Sequence, residues 1–322
     1  MEKPYIFITR KLPENLIEEF REQFDIKMWE SEDQPVPRKV LEDEAVKAQG
    51  LLTMLTDQVD EELINSAEDL RIVANMAVGY DNIDVEAAKK YNVTVTNTPE
   101  VLTDTTADLT FTLLLTAARR IVEAVDYVKG GEWGPWSPFL LAGSDVHHKK
   151  LGIIGMGRIG EAVAKRALGF DMDVVYYNRS RKEEVEKKLN IRYEEWSELI
   201  ASSDYVICLV PLTDQTKHLF NNQAFKEMKD SAIFVNASRG PVVNEQHLLE
   251  ALRAGEIRGA GLDVFEEEPI SSAHPLLAMD NVVCLPHIGS ASTETREAMI
   301  ELSLKNLEGH LLGNGALTPV YS

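Results

Sequence analysis

Cysteine, cationic charge and long apolar runs are all scarce in this sequence. Cys208 and Cys284 are the two cysteines in 322 residues, each inside an apolar run (YVICLV and NVVCL). This excludes a disulfide framework and reads as two buried free thiols. Lys and Arg number 33 against 53 acidic residues, a formal net charge of −20. Such a balance argues against nucleic acid or an anionic membrane as a partner. The most membrane-like stretch, LTFTLLLTAA (Leu109 to Ala118), is flanked by Asp108, Arg119 and Arg120. It has about half the length a bilayer crossing needs and reads as a buried helix. The opening MEKPYIFITRKLPENL has no long apolar run before a small-residue cleavage site, unlike a secretory signal. The chain is therefore expected to be cytoplasmic.

What is present is the composition of a soluble globular protein, 44% apolar and 27% charged, with length for two domains. Short β-like runs alternate with amphipathic helical ones over the first hundred residues: YIFIT (Tyr5 to Thr9), DIKMW (Asp25 to Trp29), GLLTM (Gly50 to Met54), RIVANM (Arg71 to Met76) and VTVTN (Val93 to Asn97). Glu14 to Phe24 and Asp60 to Ala67 are among the intervening helices. A second series starts at Leu151 with LGIIG, DVVYY (from Asp173), IRY (from Ile191), YVICLV (from Tyr205), AIFVNA (from Ala232), GAGLDVF (from Gly259) and NVVCL (from Asn281). Alternation of this kind predicts an α/β protein with two doubly wound, mostly parallel sheets. A helical pattern over Thr103 to Lys129 and the loop GGEWGPWSP (Gly130 to Pro138) separate the two series, and a helix over Thr293 to Leu312 ends the chain. No internal repeat or low-complexity tract is visible.

LGIIGMGRIG places Gly155, Gly157 and Gly160 directly after an apolar strand and at the start of an amphipathic helix. In that context the glycines form a dinucleotide turn. The first permits the tight turn, the second a close approach to pyrophosphate, and the third close helix–strand packing. The helix N-terminus at Arg158 and Ile159 offers N–H groups to phosphate, and Arg158 adds a full charge. Asn178 follows Gly155 by 23 positions, close to the roughly 20-residue offset of the ribose-reading residue. An acid there would repel a 2′-phosphate. Asn178 does not, and Arg179, Ser180, Arg181 and Lys182 provide donors for it. The preferred cofactor is thus expected to be NADP(H), with NAD(H) admissible.

Three later segments, VNASRGPVV, GLDVFEEEP and CLPHIGSAS, each follow a predicted strand, where ligands collect in an open α/β sheet. They supply Arg239, Glu268 with Asp263 nearby, and His287. A guanidinium to hold a carboxylate, an imidazolium to donate a proton and a carboxylate to orient the imidazole are what reduction of a 2-oxo acid requires. Glu266 and Glu267 read as solvated loop charges. A Ser238–His287–Asp263 hydrolase lacks the G-x-S-x-G elbow. The adjacent His147 and His148 would diverge on a regular element, and His218 and His274 lack spaced partners, so no metal site is expected.

These motifs together resemble the D-isomer-specific 2-hydroxyacid dehydrogenases over nearly the whole chain. The resemblance is closest to the glyoxylate/hydroxypyruvate and 2-ketogluconate reductases, through NMAVGYDNID, LTDTTADLTFTLLL, GIIGMGRIG, PLTDQTKHLF and LPHIGSAS. It implies a Rossmann coenzyme domain (102–290) inserted into a flavodoxin-like substrate domain (1–101 and 291–322). It implies that Arg239 binds substrate, that Glu268 pairs with His287, and that His287 is the acid/base. Val78 and Gly79, with Leu55, would serve the substrate carboxylate. Thr106, Pro211, Thr216, Ala237, Ser238, Asp263, His287 and Gly289 would line the cofactor. It further implies a homodimer joined through the coenzyme domain and the region Trp133 to Gly143, with Trp136 near a neighbouring subunit's substrate pocket. The small substrate would be glyoxylate, hydroxypyruvate or 2-ketogluconate. A dinucleotide-sensing scaffold of the same fold is the alternative, since a sensor need not lose these residues.

Overall fold

The computed structural model describes residues 3–321. They form two units: one runs through Leu102 and resumes at Ser292, and the other is Thr103–Ala291. The first unit holds strands β1 (Tyr5–Ile8), β2 (Asp25–Met28), β3 (Gly50–Thr53), β4 (Ile72–Asn75) and β5 (Thr94–Thr96). They pair in the order β2-β1-β3-β4-β5, all parallel, which is the flavodoxin-like winding. β3 and β4 are buried along their whole length, as expected of strands covered on both faces.

Helices α1 (Glu14–Ile17), α2 (Arg38–Ala45), α3 (Glu61–Ser66) and α4 (Val85–Lys90) connect these strands. The helix expected over Glu14 to Phe24 stops at Ile17 and tightens into a 3-10 turn over Glu18–Glu22. Glu14, Glu18 and Glu22 would otherwise repel one another at four-residue spacing. Asp60 lies outside α3 and caps it, its carboxylate accepting the Leu63 N–H.

The second unit contains β6 (Lys150–Ile154), β7 (Asp173–Tyr177), β8 (Arg192–Tyr193), β9 (Tyr205–Cys208), β10 (Ile233–Asn236), β11 (Gly259–Leu262) and β12 (Val282–Cys284). Their order is β12-β11-β10-β9-β6-β7-β8, again all parallel. Strand order reverses between β6 and β9, the switch point at which a doubly wound sheet binds dinucleotides.

Helices α5 (Thr103–Ala118), α6 (Ile121–Lys129), α7 (Arg158–Leu168), α8 (Glu183–Leu189), α9 (Trp196–Ser202), α10 (Asn222–Glu227) and α11 (Glu245–Ala254) belong to this unit. The single helix expected over Thr103 to Lys129 is two, α5 and α6. The Ala118 carbonyl accepts the Ser144 N–H at 2.8 Å, and Arg120 turns left-handed at φ 55°. Gly143 makes that approach possible, because a Cβ there would lie 2.2 Å from the Ala118 oxygen. α5 buries Ala107, Phe111, Leu113 and Leu114 in the core. No helix is long and apolar enough to cross a membrane among the described residues.

α12 (Thr293–Leu311) returns to the first unit and packs on β3 and β4. Gly50 admits it closely, since a Cβ there would meet Leu307 at 2.8 Å. The chain then runs to the β5 edge. The buried Asn306 side chain accepts the Leu317 and Thr318 N–H groups, and the Val320 N–H donates to the Val95 carbonyl.

Candidate active site

The glycine turn links β6 to α7 at the switch point. Gly155 has φ 104°, and a Cβ on it would strike the Leu209 carbonyl at 2.8 Å. Gly160 would strike the Gly155 oxygen at 2.3 Å. Both glycines are required by the protein itself. Gly157 is different: nothing lies within 4 Å of a Cβ placed there. It precedes α7 with no side-chain cap, and a helix start of this kind suits an anion. Arg158 is exposed and Ile159 half-buried at this helix start. The donor set and open approach fit a dinucleotide pyrophosphate.

At the end of β7, Asn178 Nδ2 donates to the Ser180 carbonyl at 2.9 Å. Arg179 and Ser180 are exposed. Arg181 is not available as expected. Its Nε and Nη2 each donate to Glu186 at 2.8 Å, a bidentate pair, and its guanidinium lies over Tyr193. Glu186 also accepts the Tyr176 hydroxyl. The Tyr176 hydroxyl oxygen in turn accepts the Lys182 N–H at 2.7 Å. Asn178, Arg179 and Ser180 stand at the end of β7, where the ribose-reading residue of a dinucleotide fold sits.

Three neighbouring strands, β10, β11 and β12, end in one connected backbone. The Asp263 N–H donates to the Asn236 carbonyl, and the His287 N–H donates to the Asp263 carbonyl, both at 2.9 Å. After β10, buried Asn236 accepts the Ser238 N–H at 3.1 Å and hydroxyl at 2.8 Å, and donates to the Arg239 carbonyl at 3.0 Å. Ala237, Ser238 and Arg239 are thereby fixed half-buried. Gly240 follows so tightly that a Cβ on it would lie 1.8 Å from the Phe265 carbonyl. This contact joins the Arg239 turn to the segment carrying Glu268.

After β11, Asp263 is 1% exposed. Its carboxylate oxygens each accept one N–H, from Ile288 and from Gly289, at 2.8 Å. Burial pushes the Asp263 carboxyl above the usual carboxylate range, opposed in part by those N–H groups and the charge of His287. Gly289 leaves room for both Asp263 and Thr106, which is buried on α5. Held this way, His287 adopts φ 54°, uncommon for a side-chain-bearing residue.

His287 Nδ1 donates to Glu268 Oε2 at 2.7 Å, and Glu268 Oε1 accepts the Phe265 N–H at 2.9 Å. The side chains are 28% and 35% exposed, so the pair is shielded yet open to a small ligand. The Glu268–Pro269 peptide is cis. Glu266 is not simply solvated. Its N–H donates to Glu245 Oε1 at 2.5 Å and its Oε1 accepts the Glu245 N–H at 3.2 Å. His218 lies 3.2 Å from Glu266 and His274 lies 3.4 Å from Glu245. Glu267 is exposed, as expected.

Elsewhere in this unit, half-buried Thr216 donates its hydroxyl to the carbonyl of exposed Pro211 at 2.6 Å, shaping the loop after β9. Cys208 and Cys284 are free thiols. Among the described residues no group of three or more His, Cys, Asp or Glu side chains could hold a metal ion.

In the first unit, Leu55 follows β3 and Val78 and Gly79 follow β4. Buried Asp57 accepts the Met54 N–H and the Thr9 hydroxyl, while Asn82 donates to the Met54 and Asp57 carbonyls. Sequence reasoning passed over these residues, and over Asn75, Asn97 and Asn236. The available signal was Asn at the end of an apolar strand, a buried polar group that must find partners.

Residues 111–289 match the model for the D-isomer specific 2-hydroxyacid dehydrogenase NAD binding domain. The chain is 50% identical over 309 residues to a glyoxylate reductase of Pyrococcus horikoshii, covering 95% of this chain and 92% of that one. Its fold superposes on the TT0316 protein of Thermus thermophilus with a TM-score of 0.92 and 41% identity, covering 98% of this chain and 99% of the other. An NADPH-dependent glyoxylate/hydroxypyruvate reductase of Sinorhizobium meliloti, solved with NADP and malonate, matches with a TM-score of 0.86 and 32% identity over 99% and 97% of the two chains.

Proposed function

Because the chain belongs to the D-isomer-specific 2-hydroxyacid dehydrogenase family, a 2-oxo acid reductase using a nicotinamide dinucleotide, we propose that it is an NADPH-dependent reductase of a small 2-oxo acid. Glyoxylate is the first candidate, followed by hydroxypyruvate and 2-ketogluconate, and the product is the 2-hydroxy acid, of D configuration where C2 is chiral. The observation that carries this reading is the His287–Glu268 pair at 2.7 Å, set beside Arg239 on three adjoining strand ends.

When bound, the dinucleotide supplies hydride to the carbonyl carbon. Gly155, Gly157, Arg158, Ile159 and Gly160 would hold its pyrophosphate. Asn178, Arg179 and Ser180 would hold the ribose 2′-phosphate. Thr106, Pro211, Thr216, Ala237, Ser238, Asp263, His287 and Gly289 would surround the nicotinamide half. Arg239 holds the substrate carboxylate and draws electron density toward the carbonyl oxygen. His287, its Nδ1 committed to Glu268, presents Nε2 and donates the proton that the new alkoxide needs. Glu268 keeps that ring oriented. Leu55, Val78 and Gly79 on the first unit are assigned to the substrate. We place the homodimer interface on α6 and the aromatic region Trp133 to Gly143, and the protein in the cytoplasm, where its two free thiols stay reduced.

A panel of the three 2-oxo acids with NADPH and NADH, followed by nicotinamide absorbance, tests the proposal. NADPH should be the better donor, and Arg179→Asp should raise the KM for NADPH far more than that for NADH. Tight nucleotide binding without turnover of any small 2-oxo acid would instead favour a dinucleotide sensor.

A further inference from the structure

The loop after β4 takes its shape from where its carbonyls are tied. The Ala77 carbonyl accepts the Thr98 N–H at 2.8 Å. The Val78 carbonyl accepts Asn97 Nδ2 at 2.8 Å, and the Gly79 carbonyl accepts Asn75 Nδ2 at 2.9 Å. These peptides are trans, so each N–H points opposite to the carbonyl of its own peptide group. The N–H groups of Val78, Gly79 and Tyr80 are therefore turned away from their anchors. Among the described residues none of the three has a hydrogen-bond partner, and Val78 and Tyr80 are exposed. Three successive outward N–H groups form a donor set that a carboxylate can meet.

The anchors are themselves built in. Asn75 is fully buried, and its Oδ1 accepts the Thr53 hydroxyl at 3.1 Å. Asn97 is only half-buried. Its backbone is held independently of its side chain, since its N–H donates to the Thr318 carbonyl and its carbonyl accepts the Thr318 hydroxyl. The side chain has one recorded task, the Val78 carbonyl.

We propose that Asn97 and Asn75 are positioning residues for substrate affinity. By fixing the carbonyls of Val78 and Gly79, with Thr98 fixing that of Ala77, they aim the amides of Val78, Gly79 and Tyr80 at the substrate carboxylate. Tyr80 is thereby a third donor. This rests on the assignment of Val78 and Gly79 to the substrate made above.

The test uses Asn97→Ala and Asn97→Asp in the full-length enzyme with bound nucleotide. Both should keep the wild-type Tm and nucleotide affinity, because the backbone bonds of Asn97 remain. Asn97→Ala should raise the KM for the best 2-oxo acid about fivefold with kcat little changed, the effect of losing one orienting hydrogen bond. Affinity for oxamate, measured without turnover, should fall by the same factor. Asn97→Asp should do worse, since its carboxylate repels the Val78 carbonyl. If Asn97→Ala does not fold, Asn97→Asp, which keeps the side-chain volume, carries the comparison.

An unchanged KM and oxamate affinity would overturn the proposal. So would parallel losses of Tm, nucleotide affinity and kcat, the signature of a merely structural residue. His287→Asn is measured alongside. If that variant turns over normally, the reading of the active site fails. If it is inactive while Asn97→Ala behaves as wild type, only the positioning role fails.

Discussion

Glu268 is pulled two ways. Burial works to raise its carboxyl, but the hydrogen bond and charge of His287, the Phe265 N–H and the charge of Arg239 outweigh it and hold the group below the usual range. A carboxyl lowered on folding contributes stability above its unfolded value, about pH 4.3, and loses that contribution as pH falls through the folded value. At neutral pH the carboxylate is therefore fully formed and anchors the His287 ring. Glu268→Gln should flatten this part of the acid unfolding limb, which an acid titration of stability checks. His287→Asn should reduce kcat by about 10²–10⁴-fold, the usual worth of a proton donor, with nucleotide affinity retained. Arg239, Glu268 and His287 were legible in the sequence because each is a reactive side chain just past an apolar run. The supports were not. Glu266 looked solvated, but its partner Glu245 lies 21 positions away, and Arg181 looked free because nothing local marks Glu186 as its counter-ion.

At the scale of elements, two glycines in the site do opposite work. Gly240 exists for the protein: a Cβ would collide with the Phe265 carbonyl at 1.8 Å. Gly240→Ala should destabilise the second unit by about 3 kcal/mol or more, or else part the Arg239 turn from the Glu268 segment and depress kcat/KM. Nothing in the protein itself requires a glycine at 157, where a Cβ would meet open space, but the proposed pyrophosphate site would. At φ −82° with open space around it, Gly157→Ala should leave stability equal or raised by up to about 1 kcal/mol while weakening nucleotide binding. Denaturant melts with and without nucleotide separate the two cases. Apolar runs made the central strands visible in advance, because a strand covered on both faces has nowhere to place charge, whereas the edge strands β2 and β8 carry Asp25, Lys27 and Arg192. The break between α5 and α6 was invisible, since the competitor for the Ala118 carbonyl is Ser144, far along the chain.

At the scale of the whole molecule, the second unit displays more apolar surface than it needs. Ile121, Val125 and Val128 line one face of α6 and are exposed, and Trp136 and Phe139 are 82% and 85% exposed. Patches of this kind mark interaction sites. For the homodimer proposed above, Val125→Asp combined with Val128→Asp should lower the mass seen in light scattering to that of a monomer that still binds nucleotide; a mass unchanged from that of the unsubstituted protein would count against this face as the interface. The family resemblance pointed to the region Trp133 to Gly143, whereas the exposed valines of α6 were hidden inside what read as one long helix.

The interruption of the first unit by the second also imposes an order on biosynthesis. Thr103–Ala291 is continuous and emerges from the ribosome with every strand of its sheet in hand. The residues before it emerge earlier but stay unfinished, for α12, which covers β3 and β4, and the Leu317–Val320 segment that closes the β5 edge are translated after the second unit. Until then the apolar face over Gly50 to Asn75 has no lid. The part made before the second unit thus completes its fold after it, and in that interval a nascent chain exposes apolar surface.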